Sequence, residues 1–129
     1  MGKGYLIDSN VIIDYSASRL PQKGSDFVEQ LFNGNFLISV AVKIEVLGFA
    51  DIPDKLLAME EFLNTAILLP LDEAVTAQTI LLRRNYKKLK LGDAIIAATS
   101  IVHNLTLITH NTKDFVNIRG LHVEDPYTL

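Results

Sequence analysis

Short, largely apolar runs recur along this chain, and stretches whose apolar residues fall at helical spacing separate them. Tyr5-Leu6-Ile7, Phe36-Leu37-Ile38, Ile67-Leu68-Leu69 and Leu105 to Thr109 are such runs, with Leu121-His122-Val123 as a short fifth. Apolar residues in succession, without polar alternation, suit strands buried on both faces rather than half-exposed hairpins. Strands of that kind alternating with helices predict an α/β domain whose parallel sheet is covered on both sides.

The intervening segments supply the helices. Val11-Ile12-Ile13 opens one just after Asp8, and 19–24, with Pro21 and Gly24, reads as a loop. Phe27, Val28, Leu31 and Phe32 share a helical face, with Gly34 as its stop. A helix over Val40 to Leu47 ends at Gly48, and Pro53 suits the first turn of the next, which carries Leu56, Leu57, Met59, Phe62 and Leu63. Asp72 caps a helix bearing Val75, Ile80 and Leu81, while Gly92 precedes one bearing Ile95, Ile96, Ala98 and Val102. No repeat or linker divides the 129 residues, so one domain over 1–129 is expected.

Charge and cysteine usage narrow the classes. With 12 Lys and Arg against 15 Asp and Glu, the net charge is −3, so nucleic-acid binding requires a local basic patch. The absence of cysteine excludes disulfides and thiolate metal sites and suits a reducing compartment. No apolar run is long enough to span a bilayer, and Met1 to Asn10 lacks the pattern of a signal peptide. A cytoplasmic protein with no membrane association is expected.

Ligands of parallel α/β sheets collect beyond the carboxyl ends of the strands. Asp8 directly follows the first strand, Asp114 lies just beyond the fourth, Glu45 sits in the helix after the second, and Asp93 opens the helix leading into the fourth. Local explanations exist for three of them: an Asx turn at Asp8, a favourable helix dipole at Asp93, and a capping box between Asn111 and Asp114. Glu45 is expected to face the interior, because its helix is apolar except for Lys43, about 200° away around the axis. A carboxylate so placed needs a proton, an ion pair or a metal. One hard divalent cation, Mg²⁺ or Mn²⁺, accounts for all four acids together, some of them acting through water. Asn10, Thr109 and Asn111 flank the first and last acids, where they can orient metal waters or brace the loops.

Arg83, Arg84, Lys87, Lys88 and Lys90 concentrate positive charge just before Asp93. Arg83 and Lys87, like Arg84 and Lys88, stand four apart on the expected helix tail. The cluster reads either as a solvated helix C-terminus or as a track for nucleic-acid phosphates. Tyr86 either stacks on a base or anchors the helix. Other enzyme classes fit less well: Asn10 stands where phosphatases carry a second aspartate, Gly2-Lys3-Gly4 precedes the first strand, and His103, His110 and His122 lack zincin spacing.

Leu6-Ile7-Asp8-Ser9-Asn10-Val11-Ile12-Ile13, Glu45, Leu91-Gly92-Asp93-Ala94-Ile95-Ile96-Ala97-Ala98 and Thr109-His110-Asn111-Thr112-Lys113-Asp114-Phe115 resemble the motifs of PIN-domain proteins. More narrowly, the chain is similar to the toxins of VapBC-type toxin–antitoxin pairs, over nearly its full length. The resemblance implies a three-layer α/β fold with a parallel sheet in the order 3-2-1-4-5. It implies an Mg²⁺- or Mn²⁺-dependent endoribonuclease that leaves a 5′-phosphate and a 3′-hydroxyl, a small VapB-like antitoxin as partner, and a homodimer. Asp8, Glu45, Asp93 and Asp114 match the four family acids in order, with Asn10, Thr109 and Asn111 at the accompanying polar positions. A non-catalytic RNA- or partner-binding PIN-like protein and a DNA nuclease are the alternatives. Phe27, Val28, Leu31 and Phe32, with Leu56, Leu57 and Phe62, are either partner surfaces or core stripes.

Overall fold

The computed structural model describes residues 4–49 and 55–129. Its apolar runs form β1 (Tyr5–Ile7), β2 (Leu37–Ser39), β3 (Ile67–Leu69), β4 (Thr106–Ile108) and β5 (His122–Glu124). All neighbours pair in parallel, in the order β3-β2-β1-β4-β5. That is the order the resemblance implies. The central strand aligns Leu6 with Leu37 on one side and Leu107 on the other, and Leu6, Ile7, Ile38, Leu107 and Ile108 are completely buried.

Among the described residues, six α-helices pack around the sheet: α1 (Ser9–Ser16), α2 (Gln22–Asn33), α3 (Val40–Leu47), α4 (Leu56–Leu63), α5 (Glu73–Asn85) and α6 (Leu91–Val102). Short 3₁₀ turns occupy Thr112–Phe115 and Pro126–Thr128. Local chemistry sets several ends. Ser39 Oγ accepts from Val42 N at 3.2 Å and Asp72 Oδ1 from Val75 N at 2.9 Å, satisfying helix donors that would otherwise be unpaired. Gly34 and Gly48 stand at the C-caps of α2 and α3. The α2 stripe is core rather than surface: Val28 is fully buried, and Phe32 meets Phe36 and Phe62 with ring centroids 5.0 Å away in each case. Leu56 and Leu57 on α4 stay exposed.

Three expectations of where helices begin and end need correction. First, α2 begins at Gln22, so Gly24 is helical rather than part of a loop. A Cβ there would collide with the carbonyl of Pro126, so this glycine admits the C-terminal 3₁₀ turn against α2. Second, Gly92 lies inside the first turn of α6 rather than before it. Third, α5 ends at Asn85, leaving Lys87 and Lys88 beyond the helix; their four-residue spacing from Arg83 and Arg84 does not make them helical neighbours. Pro53 and residues 1–3 lie outside the described residues. Among the described residues, no helix is long and apolar enough to cross a membrane.

Helix α6 runs between α5 and α3 and buries Ala94, Ile96, Ala97, Ala98, Thr99 and Ser100. Its small side chains permit close approach. Thr99 returns its hydroxyl to the Ile95 carbonyl at 2.7 Å, but the buried Ser100 Oγ has no partner. An unsatisfied buried hydroxyl is a net cost, and alanine is the better helix former. Ser100→Ala is therefore expected to stabilise the protein by about 1 kcal/mol. Urea unfolding measures this, and a midpoint lower than that of the parent chain counts against it.

Candidate functional site

The site begins at the carboxyl end of the central strand. Asp8 donates its backbone N–H to the Ile108 carbonyl at 2.9 Å and caps α1, with Oδ1 accepting from Ser9 N at 2.8 Å. Its other oxygen, Oδ2, accepts from Asn10 Nδ2 at 3.0 Å and Thr109 Oγ1 at 2.8 Å. Thr109 Oγ1 in turn accepts from Asn10 Nδ2 and from the backbone N of Asn111, each at 3.1 Å. Asn10 Oδ1 accepts from His110 N at 3.0 Å. Asn10 and Thr109 thus staple the loop after β1 to the loop after β4, with the Asp8 carboxylate between them. Asp8 as a residue is 3% exposed. Burial raises its pKa above the ordinary carboxylate range, with a further push from Glu45, and the bonds from Thr109, Ser9 and Asn10 pull it back down.

Glu45 departs from expectation: it is exposed. Helix α3 buries Ala41, Val42 and Val46, and turns Ile44 and Glu45 outward. The carboxylate folds back over the site instead. Oε1 accepts from Ser9 Oγ at 2.8 Å, and Oε2 would stand 3.0 Å from a Cβ placed on Gly92. The missing side chain at Gly92 makes room for Glu45 beside the start of α6, where the next acid lies.

Asp93 occupies the first turn of α6 and is half-buried. Its pKa is pushed up to about 6, first by burial and then by the charges of Asp8, Asp114 and Glu45, with Lys90 opposing. The four acids therefore share one electrostatic field. Asp114 is exposed on the 3₁₀ turn after β4. Asn111 caps that turn without a side-chain hydrogen bond, so no capping box ties up the Asp114 carboxylate.

Among the described residues, the ion pairs are Arg19 with Asp14 and His110 with Asp125; none of the four acids has such a partner. Oxygen donors, no softer ligand and carboxylates without a direct ion-pair partner fit a hard divalent cation. Among the described residues, no group of three or more acids or histidines forms a ready-made coordination sphere. The arrangement suits an ion that keeps several waters, held directly by one or two carboxylates and by the others through water.

Beside the acids opens a cleft of about 400 Å³, with Asp93 and Asp114 in its lining. Lys87, Lys88 and Lys90 line it from the connection between α5 and α6, and Lys113 from the 3₁₀ turn. Arg83 and Arg84 do not line it. Arg83 Nη1 donates instead to the Leu89 carbonyl at 3.2 Å and so braces the connection. Tyr86 is anchored, its hydroxyl accepting from Arg119 N at 3.0 Å. Lys113 was not among the cations singled out from sequence. Its only signal there is adjacency to Asp114, and its partners across the cleft come from a distant part of the chain.

A parallel sheet in this order, with carboxylates gathered beyond its carboxyl end, is an arrangement suited to metal-dependent hydrolysis. The PIN domain family model matches residues 5–121, and the chain belongs to the PIN-domain family. Ribonuclease VapC1 of Rickettsia felis is 28% identical over 126 residues, covering 93% of this chain and 94% of its own length. Of solved structures, a toxin–antitoxin complex from Klebsiella pneumoniae superposes with a TM-score of 0.79 at 32% identity, covering 96% of this chain and 98% of that one. VapBC2 from Rickettsia felis bound to a DNA fragment from its promoter gives a TM-score of 0.78 at 22% identity, covering 94% and 97%, a likeness of fold. PIN-domain nucleases are enzymes that use divalent metals.

Proposed function

We propose that this chain is a divalent-metal-dependent endoribonuclease, the toxin of a type II toxin–antitoxin pair, acting as one nuclease unit over residues 1–129. The observation that carries the reading is the gathering of four carboxylates without cationic partners at the sheet edge, beside a lysine-lined cleft. Relatives named as ribonucleases favour RNA over DNA.

Asp8, Glu45, Asp93 and Asp114 hold Mg²⁺ or Mn²⁺, directly or through water. When bound, such an ion supplies positive charge to the scissile phosphate and acidifies water for attack on it. The chain's own groups do the positioning. Asn10 and Thr109 fix the Asp8 carboxylate, Ser9 holds Glu45 over the site, and Asp93 and Asp114 orient the attacking water from the cleft. Water adds to phosphorus and the P–O3′ bond breaks, leaving a 5′-phosphate and a 3′-hydroxyl. Asn111 helps set the loop that carries Asp114.

Cleavage of matched RNA and DNA strands, with Mg²⁺, Mn²⁺ or a chelator, tests the assignment. RNA cut only with metal is the expected result. Equal cutting of DNA reassigns the substrate, and binding without cleavage makes the chain a non-catalytic PIN protein.

Lys87, Lys88 and Lys90, with Arg83 and Arg84 behind them, guide the RNA backbone, since phosphate contacts give affinity with little base discrimination. Replacing Lys87 and Lys88 together by Ala is expected to weaken RNA binding roughly three- to tenfold and to lower the salt slope by about 1.4 for single strands. Metal affinity is expected to stay near that of the parent. Binding titrations across a salt series read all three quantities; an unchanged slope removes these lysines from the RNA path.

The partner is a small VapB-like antitoxin. An open apolar hollow of about 240 Å³ between α1 and α4, lined by Ile12, Tyr15, Met59 and Phe62, adjoins the exposed leucines of α4 and offers it a seat. The toxin forms a homodimer and works in the cytoplasm, where its lack of cysteine is at home.

A further inference from the structure

Helix α1 is held at two points on one face, and both holds lead to the C-terminal 3₁₀ turn. Asn10 and Asp14 stand four residues apart on α1, so their side chains lie one above the other, a turn apart. Asn10 Oδ1 accepts from the backbone N of His110 at 3.0 Å, and Asp14 Oδ2 accepts from the Tyr127 hydroxyl at 2.7 Å. His110 and Tyr127 belong to different segments, yet their rings meet. Imidazole and phenol stack with centroids 3.8 Å apart and planes 28° from parallel. Asp125 locks the pair: Oδ1 accepts from Tyr127 N at 2.9 Å, and both carboxylate oxygens lie 3.2 Å from His110 Nδ1. A carboxylate only accepts, so His110 Nδ1 is the donor.

This circuit reaches the acids through Asn10. With Oδ1 committed to His110 N, the amide is turned so that Nδ2 donates to Asp8 Oδ2 at 3.0 Å and to Thr109 Oγ1 at 3.1 Å. The sheet alone does not hold that orientation. Its ladder reaches as far as Thr109, whose N donates to the Glu124 carbonyl at 3.1 Å, and the next donor, His110 N, turns to Asn10 instead. Rotation of α1 about its axis, or drift of the loop after β4, would undo the amide's bonds. The stacked rings oppose both movements, and the turn that carries Asp125 and Tyr127 is itself anchored where Pro126 packs against Gly24 of α2. His110, Asp125 and Tyr127 do not line the lysine cleft, so they bear on the acids through Asn10 and α1.

We infer that His110 and Tyr127 are positioning residues of the acidic centre: their stacked rings, locked by Asp125, grip α1 at Asn10 and Asp14 and so hold the Asp8 carboxylate in place. The brace is built from a segment 113 residues away from Asp14 in sequence. Its effect on rate rests on the ribonuclease reading. A misplacement of about 1 Å, caused far from the chemistry, can cost on the order of 10²-fold in rate, so a brace of this kind has a measurable effect.

His110→Ala is expected to lower kcat on RNA about tenfold, the low end of what outer partners of a metal ligand cost. KM is expected to stay near the parent value, because His110 does not line the lysine cleft. The His110 side chain is 47% exposed, so its removal opens no cavity in the core, and a thermal melt verifies the fold. Asp125→Asn keeps an oxygen that can accept from both Tyr127 N and His110 Nδ1, and is expected to cleave near the parent rate. Tyr127→Phe keeps the stack but releases Asp14, and its kcat is expected between those two. In an Asn10→Ala chain, His110→Ala is expected to cost little further, since the brace acts through that amide. Hydrogen exchange of the Asn10 side-chain NH₂, followed by NMR on the metal-free chain, needs neither metal nor substrate and is expected to quicken in His110→Ala. An unchanged kcat in a folded His110→Ala chain, an unchanged Asn10 exchange, or the same tenfold loss in the Asn10→Ala background each overturns the brace and leaves the ribonuclease reading in place. A parent chain that cleaves no RNA with any divalent metal overturns that reading instead, and the Asn10 exchange then decides the brace by itself.

Discussion

Asp8→Asn is expected to lower RNA cleavage about 10²- to 10³-fold, because a metal's charge contributes several kcal/mol to the transition state and each tenfold in rate is about 1.4 kcal/mol. The substitution is nearly isosteric, so its effect on the fold can be reasoned atom by atom. The side-chain oxygen that accepts from Ser9 N at 2.8 Å survives, and the cap on α1 with it. The second oxygen becomes an NH₂ facing Asn10 Nδ2 at 3.0 Å and Thr109 Oγ1 at 2.8 Å. Thr109 Oγ1 already accepts from Asn10 Nδ2 and Asn111 N, so neither Thr109 nor Asn10 accepts from the new NH₂ without giving up a bond. Losing these two charge-assisted bonds costs about 1.5–3 kcal/mol each, while removing the buried charge returns part of that. The variant is therefore expected to remain folded with a lowered Tm. Circular dichroism and a single-turnover assay separate the two effects. Cleavage at the parent rate in a folded sample sinks the assignment of Asp8 to the metal site.

The frame of this protein was legible because it depends on local pattern. Runs such as Ile67-Leu68-Leu69 and caps such as Asp72 act over a few residues, and both stand where the sequence places them. Strand order was legible only through the resemblance, since no local feature says that β1 lies between β2 and β4. What escaped depends on contacts across the fold. Gly24 looks like a loop residue until Pro126 is seen against it, and the cleft lysines come from two separate segments. Glu45 was misplaced for a different reason. Its helix is apolar, but Ile44 shows that an apolar neighbour can itself face outward, with 66% of its surface exposed. The link from Asn10 to Thr109, 99 residues apart, had a signal in the polar character of both positions but none in their spacing.

The last expectation concerns pH and metal together, and its sign follows from the direction of two shifts. Asp8 and Asp93 both hold their protons more tightly in the folded chain than ordinary carboxyls do, Asp93 up to about 6. For a raised carboxyl, the folded state gains stability from protonation. That gain is fully present below the unfolded value of about 3.9, and is lost as pH rises through about 6. At neutral pH the metal-free protein thus carries the full repulsion of its acids. A divalent cation binds the ionised set and offsets that repulsion, whereas below about 6 it must first displace a proton from Asp93. Metal affinity is accordingly expected to fall roughly tenfold per pH unit below that point, as one proton competes for the site, and to level off above it. The rise in Tm on adding Mn²⁺ should therefore be small at pH 5 and large at pH 7.5. Asp93→Asn removes one of the repelling charges, so the metal-free variant is expected to melt above the parent at pH 7.5 and to respond less to Mn²⁺. Melting curves for both chains over this range measure every term. A Mn²⁺-induced shift of the same size at pH 5 and pH 7.5 in the parent chain contradicts the coupling, and with it the placement of Asp93 among the metal's acids.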